Sequence, residues 1–359
     1  MIALVAGGAG WLGRRLLGVL TEGLPEVPAL AAPSCSEVRC LVRDEGEEAL
    51  VRRVSPGAEC VRGDLRDADS LAGFVRGAGD AILFNCAGLI HPRRVRELYQ
   101  VNVDGTRNLL QQAARAGVRR FVHVSSNSPF GYHADPDRPF DERSPYKPYM
   151  NYGRSKQQAE LLVKEAGERG QLQTAIVRPP WFYGPGQPAR QTTFFAMIGR
   201  GRVPLVGGGR NYRSLAYLDN ICQALLLCAR CDEANGGVYW IADRRPYTMR
   251  EIVDTVAEVM AEEFGLQVKR EQLLLPNLVS EVARWADGAL QGLGLYNQKV
   301  HVLSEMNRNI TCSIDRARRE LGYDPRIELR EGMRRSLEDL RLRGELDSFA
   351  RAASGAHGG

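Results

Sequence analysis

A chain of 359 residues exceeds the usual size of one domain, so one large α/β unit with a smaller appended lobe is expected. Its 44% hydrophobic and 25% charged residues exclude a disordered or fibrous chain. The net charge of +5 is scattered rather than massed in a block, which disfavours a nucleic-acid surface and suits a site for a small anionic ligand.

The amino terminus, MIALVAGG, is a strand running straight into a turn. It lacks the basic and long apolar segments of a secretory signal, so a cytoplasmic location is expected. Strands are expected at 2–6, 38–42, 58–61, 81–84, 120–124 and 174–178, with helices near 11–20, 68–76, 94–116 and 149–169. Such alternation is the signature of βαβ units wound into a parallel sheet, here assigned to residues 1–178. Beyond residue 179, Pro- and Gly-rich loops mix with helices near 190–200, 219–231, 248–263 and 276–291. That half, 179–345, reads as a substrate lobe on the carboxyl edge of the sheet, from which some elements can return to the sheet. The tail, 346–359, is expected to be disordered. Of eight cysteines, only Cys228 and Cys231 have suggestive spacing, and no second pair or histidine cluster joins them. No metal site is expected. No apolar run reaches the length needed to cross a membrane, and no membrane partner is expected.

The first strand feeds GGAGWLGRRLL. Gly7, Gly10 and Gly13, with Trp11 and Leu12 between the last two, let the chain turn tightly and bring a pyrophosphate onto free amides at the helix start. The second strand ends in VRCLVRDEG. Val42 stands where a ribose-binding carboxylate is expected, and Arg43 suits a phosphate on the ribose, so NADP is favoured over NAD. Asp44, next to it, is open to either role. Further on, PYMNYGRSKQQAE places Tyr152 and Lys156 four positions apart on one helix face. That is either a surface pair at a helix start or a tyrosine made more acidic by a neighbouring cation.

The glycine triplet, GDL at 63–65, NCAG at 85–88, YQVNVDGTRNLL at 99–110, HVSSNSPFG at 123–131 and YGRSK at 152–156 occur in an order that resembles the extended short-chain dehydrogenase/reductases. This group includes nucleotide-sugar epimerases and dehydratases, dihydroflavonol reductases and 3β-hydroxysteroid dehydrogenases. The resemblance covers roughly residues 1–340 and implies a Rossmann sheet binding a nicotinamide dinucleotide. It implies that Tyr152 is the general acid/base, that Lys156 lowers the phenol pKa and holds the nicotinamide ribose, and that Ser126 bonds the substrate oxygen. Ser126 lies five residues before Gly131, with Ser125 and Ser128 as the fallbacks. By the same resemblance Asp64 and Leu65 contact adenine, and Ala87 and Gly88 let the cofactor pass the fourth strand. Asn102 supports the lysine or a water, or simply its own helix, and Pro179 and Pro180 pass the nicotinamide. The helices at 94–116 and 149–169 resemble those that pair across a two-fold axis, so a homodimer is expected.

The clues to the substrate disagree. Arg213 stands where nucleotide-sugar enzymes place an arginine on the diphosphate, or is a surface salt bridge. Trp181 replaces their substrate-binding asparagine, and with Phe182 either packs a flat or apolar substrate or forms core. Asn127 and Ser128 follow Ser126 where dehydratases carry an acidic pair, so elimination of water is not expected, and Asn127 is counted with the substrate residues. The favoured reading is hydride transfer on a nucleotide-activated sugar, by an epimerase or ketoreductase. The alternative is a reductase or dehydrogenase of a hydrophobic alcohol or ketone, and a minor one is an NADP-sensing regulator without chemistry.

Overall fold

The computed structural model describes residues 2–133, 135 and 137–346. The first apolar run forms β1 (Ile2–Ala6), buried after its first residue, and passes into α1 (Trp11–Glu22). Then come β2 (Glu37–Val42), α2 (Glu45–Val54), β3 (Glu59–Arg62), the single-turn α3 (Ala72–Val75) and β4 (Ile82–Asn85). One continuous rod carries α4 (Arg96–Tyr99), a π-helical turn (Gln100–Asp104) and α5 (Gly105–Arg115). After it come β5 (Arg120–Val124), α6 (Met150–Glu168) and β6 (Gln173–Arg178).

The second half runs β7 (Trp181–Tyr183), α7 (Ala189–Gly199), β8 (Pro204–Val206), β9 (Tyr212–Arg213), β10 (Leu215–Tyr217), α8 (Leu218–Arg230) and β11 (Gly237–Trp240). It continues through β12 (Tyr247–Thr248), α9 (Met249–Glu262), β13 (Leu273–Leu275) and α10 (Asn277–Gly292). It closes with α11 (Gln298–Glu305), α12 (Asp315–Leu321) and α13 (Leu329–Leu342).

The main sheet has seven strands in the order β11-β6-β5-β4-β1-β2-β3, and every neighbouring pair is parallel. Strand order reverses at β1, between β4 and β2, which opens a crevice at the carboxyl ends of these strands. Helices cover both faces. Leu16 and Leu20 of α1, Ile221 and Leu225 of α8 and Leu321 of α12 share one core. Phe74 of α3, Leu109 of α5 and Val163 of α6 share the other. A third core lies in the second half, where Ile252 and Val256 of α9 meet Met333 and Leu337 of α13. Leu346 is buried in it, and residues 347–359 lie outside the described residues.

Several elements have no counterpart in the sequence reading. α2 buries only Val51, so no apolar stripe announces it; its start is marked instead by Asp44, whose carboxylate accepts from the Glu47 amide at 2.9 Å. β11 returns from the second half to pair with β6, joining the two halves through one sheet. The helix expected at 68–76 is reduced to a 3-10 turn, Asp69–Leu71, and α3. Beneath the sheet edge, Arg178 of β6 is buried on Glu160 of α6 at 2.6 Å, with its guanidinium 4.3 Å from the Phe130 ring centre. This pair fixes α6 to the sheet, and removing one partner of such a pair costs about 3–5 kcal/mol.

Candidate active site

The glycine loop is built by close approach. Gly7 sits at φ 81, and a side-chain carbon there would lie 2.5 Å from the Ala87 amide nitrogen, so the loop after β1 presses against the loop after β4. At Gly13 the same carbon would meet the Gly7 carbonyl oxygen at 2.1 Å, so α1 packs directly on the turn. α1 starts at Gly10 without a side-chain cap and has no acid in its first turn, which leaves its first amides suited to an anion. The Trp11 side chain has a separate job. Its indole donates to the Pro185 carbonyl at 2.7 Å and packs on Phe182, with ring centres 5.1 Å apart, tying the loop to the second half.

At the tip of β2, Arg43 is exposed and tied to Glu47, its Nε donating to Oε1 at 2.7 Å. Asp44 is occupied as the cap of α2. Asp64 is held by Arg66, which keeps its carboxyl below the usual range. Leu65 is fixed by α5, where Asn108 donates to its carbonyl at 2.8 Å.

Lys156 is buried on α6, and its ammonium donates to the Val124 carbonyl at 2.7 Å. Burial pushes its pKa down to about 8, with Glu160 and Cys86 opposing. It is therefore not half of a surface pair. A side-chain carbon on Gly88 would lie 3.6 Å from Asn102 Oδ1 and 4.0 Å from Lys156 Nζ, so the loop after β4, the π turn and α6 converge here. Asn102 is buried and fully used. It accepts from the Leu89 amide at 2.8 Å, and its own amide donates to the Leu89 carbonyl at 2.9 Å and to Ser155 Oγ at 3.0 Å. It thus pins the loop after β4 to α6 one residue before the lysine.

The first turn of α6 is latched to the serine loop. The Tyr149 amide donates to the Ser128 carbonyl at 2.9 Å, and a side-chain carbon on Gly153 would fall 2.4 Å from that same oxygen. Half-buried Tyr152 is held between these two latches. Ser126 is buried, its Oγ 3.4 Å from both Ser128 Oγ and Asn127 Oδ1. Ser125 continues the sheet by donating its amide to the Val177 carbonyl at 2.8 Å, and its buried hydroxyl has no partner among the described residues. Pro179 and Pro180 follow β6 and are both buried.

On the other side stands Arg213. It is no surface salt bridge: Nη2 donates to the Glu305 carbonyl, while Nε is buried without a partner among the described residues. Trp181 packs on Phe194, with ring centres 5.5 Å apart, at the margin of the third core.

A polar cluster on α10 and α11 escaped the sequence reading. Gln291 Oε1 accepts from the Asn151 amide and side chain at 3.1 and 3.0 Å, and Gln291 in turn donates to Asp287 at 3.0 Å. His301 Nδ1 lies 2.7 Å from Asp287 Oδ2, and Tyr149 OH lies 2.6 Å from Ser304 Oγ. Burial opposes the charged form of His301, but the bond to Asp287 and the charges of Glu305 and Asp287 together outweigh it and raise the pKa. Asn297 caps α11 by accepting from the Lys299 and Val300 amides, the one local signal that marks this helix in the sequence. Cys228, by contrast, is buried on α8, and its carbonyl and that of Cys231 accept from Arg120.

The family model described as NAD dependent epimerase/dehydratase family matches residues 3–242. Protein y4nL of Sinorhizobium fredii is 47% identical over 338 residues, 94% of each chain. A 4-hydroxy-2-methyl-3-oxo-4-farnesyl-3,4-dihydroquinoline-1-oxide ketoreductase of Stigmatella aurantiaca is 31% identical over 341 residues, 93% of this chain and 95% of that one. Among solved structures, DesIV, a dTDP-glucose 4,6-dehydratase from Streptomyces venezuelae with NAD bound, superposes with a TM-score of 0.73 at 26% identity, covering 97% of this chain and 100% of its own. The chain belongs to the NAD dependent epimerase/dehydratase family, within the extended short-chain dehydrogenase/reductases, and is an NAD(P)-dependent enzyme of that type.

Proposed function

We propose that this enzyme reduces a ketone, or oxidises the matching secondary alcohol, on a lipophilic molecule. The observation that carries the reaction type is the buried Lys156 ammonium, bonded to the end of β5, on the same helix face as Tyr152, whose turn is latched to the serine loop. A phenol near pKa 10 is a poor base at neutral pH, and a buried cation beside it favours its ionised form. In reduction the substrate oxygen accepts hydrogen bonds from Ser126 and Tyr152, and Tyr152 gives up its proton as negative charge develops there. In oxidation the same proton returns to Tyr152. The nicotinamide, when bound, supplies or accepts the hydride. Gly7, Gly10, Trp11, Leu12 and Gly13 would hold its pyrophosphate through their backbones, with Asp64 and Leu65 at adenine and Ala87, Gly88, Pro179 and Pro180 along its path. The loop fits such a group, since close packing at Gly7 and Gly13 shapes the turn and α1 starts with no side-chain cap and no acid in its first turn. Arg43 supports NADP over NAD.

Two features support a lipophilic substrate over the sugar favoured by sequence alone. Arg213 already gives part of its guanidinium to the Glu305 carbonyl, and the packing at the start of α6 is aromatic, with Tyr149 and Tyr296 against His301 at ring-centre distances of 5.6 and 5.4 Å. The full-length similarity to a ketoreductase named for a farnesylated substrate points the same way. The second reading, an epimerase or ketoreductase of a nucleotide-activated sugar, is favoured by the unpartnered Arg213 Nε, with Asn127 and Trp181 as further contacts. Mass spectrometry of small molecules released by denaturation, with calorimetry of NADP, NAD and nucleoside diphosphates, separates the two. Retained NAD with nucleoside-diphosphate binding supports the sugar enzyme; preference for NADP with no such binding supports the reductase. A homodimer through α5 and α6, which pack side by side and leave Leu161 exposed, belongs to the same reading, and eight unpaired thiols suit a reducing cytoplasm.

A further inference from the structure

α10 has two faces with different fates. Ser280, Ala283, Asp287 and Gln291 are buried: Ser280 and Asp287 bond Leu303 and His301 of α11, and Gln291 bonds Asn151 at the α6 start. On the opposite side, Leu278, Val282 and Trp285 repeat at helical spacing, with Leu293 just past the end, and all are exposed, Trp285 at 72% and Leu293 at 78%. Leu273 and Leu274 of β13, just before α10 in the chain, are exposed as well. Between α10 and α11 the apolar face deepens into a cleft of about 420 Å³ lined only by apolar residues, among them Val279, Ala286, Val300 and Leu303. Isolated exposed apolar residues are ordinary, but a contiguous face of this kind marks an interaction surface.

The charge around the face identifies its occupant. Lys269 and Arg270 precede β13, Lys299 opens α11, and Arg93 and Arg94 lie beside Leu295; all five are exposed. The Arg284 guanidinium stands 5.1 Å from the Trp285 ring centre. Of the acids from Lys269 to the end of α11, Glu281 is already paired with Arg284 and Arg308 and Asp287 is buried on His301, leaving Glu271 and Glu305 against these cations. An apolar stripe with tryptophan, rimmed by cations, has the chemistry of a helix lying in the interface of an anionic bilayer. A second copy of this chain would set like charges against each other around the two-fold axis. With 16 residues, α10 is too short to span a bilayer, and no helix among the described residues is long and apolar enough to do so.

We infer that the outer face of α10, with β13 and the start of α11, docks the enzyme on the surface of an anionic lipid bilayer. Its purpose rests on the lipophilic-substrate reading: the inner face of the same helix holds Asn151, the neighbour of Tyr152, so docking brings the membrane to the substrate side of the site.

The test is flotation of the full chain with phosphatidylcholine vesicles, with and without phosphatidylglycerol. Binding is expected only to the anionic vesicles, weakening as salt rises. Trp285→Glu combined with Leu278→Glu, both at exposed positions, is expected to weaken it by about tenfold or more while leaving the melting temperature unchanged. Absence of binding to anionic vesicles, or binding that the double variant keeps, overturns the proposal. So does a dimer that the double variant dissolves, which would assign the face to a second copy. The substrate reading fails separately, if vesicles are bound but no lipophilic ketone or alcohol is turned over in detergent.

Discussion

Lys156 is the residue whose environment constrains the chemistry most tightly. Its ammonium is buried, and its pKa is pushed from 10.5 down to about 8. A base whose folded pKa is depressed penalises the fold at every pH below that value, and the penalty is shed as pH rises from about 8 towards 10.5. Lys156→Met should therefore raise the unfolding free energy at pH 7, by on the order of 1–2 kcal/mol once the lost bond to Val124 is counted, and should abolish turnover. Denaturant titrations at pH 7 and pH 10 check this, the gain shrinking at the higher pH; a variant destabilised at pH 7 would contradict it. In the proposed NADP site, Arg43 must leave Glu47 to meet a ribose phosphate. Arg43→Ala should weaken NADP roughly tenfold with little effect on NAD, and Glu47→Gln should act in the opposite sense. Calorimetry with both dinucleotides reads the difference, and equal losses would remove Arg43 from that role.

Elements place these residues, and two junctions matter most. The α6 start is set by the Ser128 carbonyl lying 2.4 Å from where a Gly153 side-chain carbon would be. Gly153→Ala must displace this turn, with a cost of about 1–3 kcal/mol in stability and roughly a hundredfold in turnover. Full activity in that variant would show that the latch does not position Tyr152. The second junction is the His301–Asp287 bond between α11 and α10. Because the folded pKa of His301 is raised, its stabilisation is fully present below the unfolded value near 6.5 and is lost as pH climbs through the folded one. The stability difference between wild type and His301→Asn should be about 1–3 kcal/mol at acidic pH and should shrink as pH rises. Thermal melts across that range decide it; a constant difference would deny the linkage. Much of this scale was legible beforehand. β1, β5 and α6 lie within a residue or so of their expected bounds because long apolar or periodic runs announce them. α2 was not legible, since it buries one residue, whereas α13 has no counterpart in the sequence reading although Leu329, Met333, Leu337 and Leu340 form an apolar stripe along it. The Asn151–Gln291–Asp287–His301 chain joins residues far apart in sequence, and no local spacing reports it.

At the scale of the molecule, the topology explains why the motifs cluster. Strand order reverses at β1, so the ends of β1, β2 and β4 open onto one crevice, with the serine loop after β5 and Lys156 of α6 alongside. Gly7, Gly88, Asn102 and Lys156 come from separate motifs that already stood in a recognisable order in the chain. The proposed substrate side was less legible because β9, α10 and α11 reach it from the second half through packing rather than motif. Return of β11 to the sheet makes the two halves one structural unit around the crevice.

The most direct measurement follows nicotinamide absorbance during turnover of a panel of lipophilic ketones and alcohols and of nucleotide sugars, with wild type and Tyr152→Phe in parallel. The account predicts cofactor-dependent turnover of a lipophilic ketone or alcohol, lost by about a thousandfold in Tyr152→Phe while dinucleotide binding is retained. Tyr152→Phe keeping most of the wild-type rate, or turnover confined to nucleotide sugars, would contradict it.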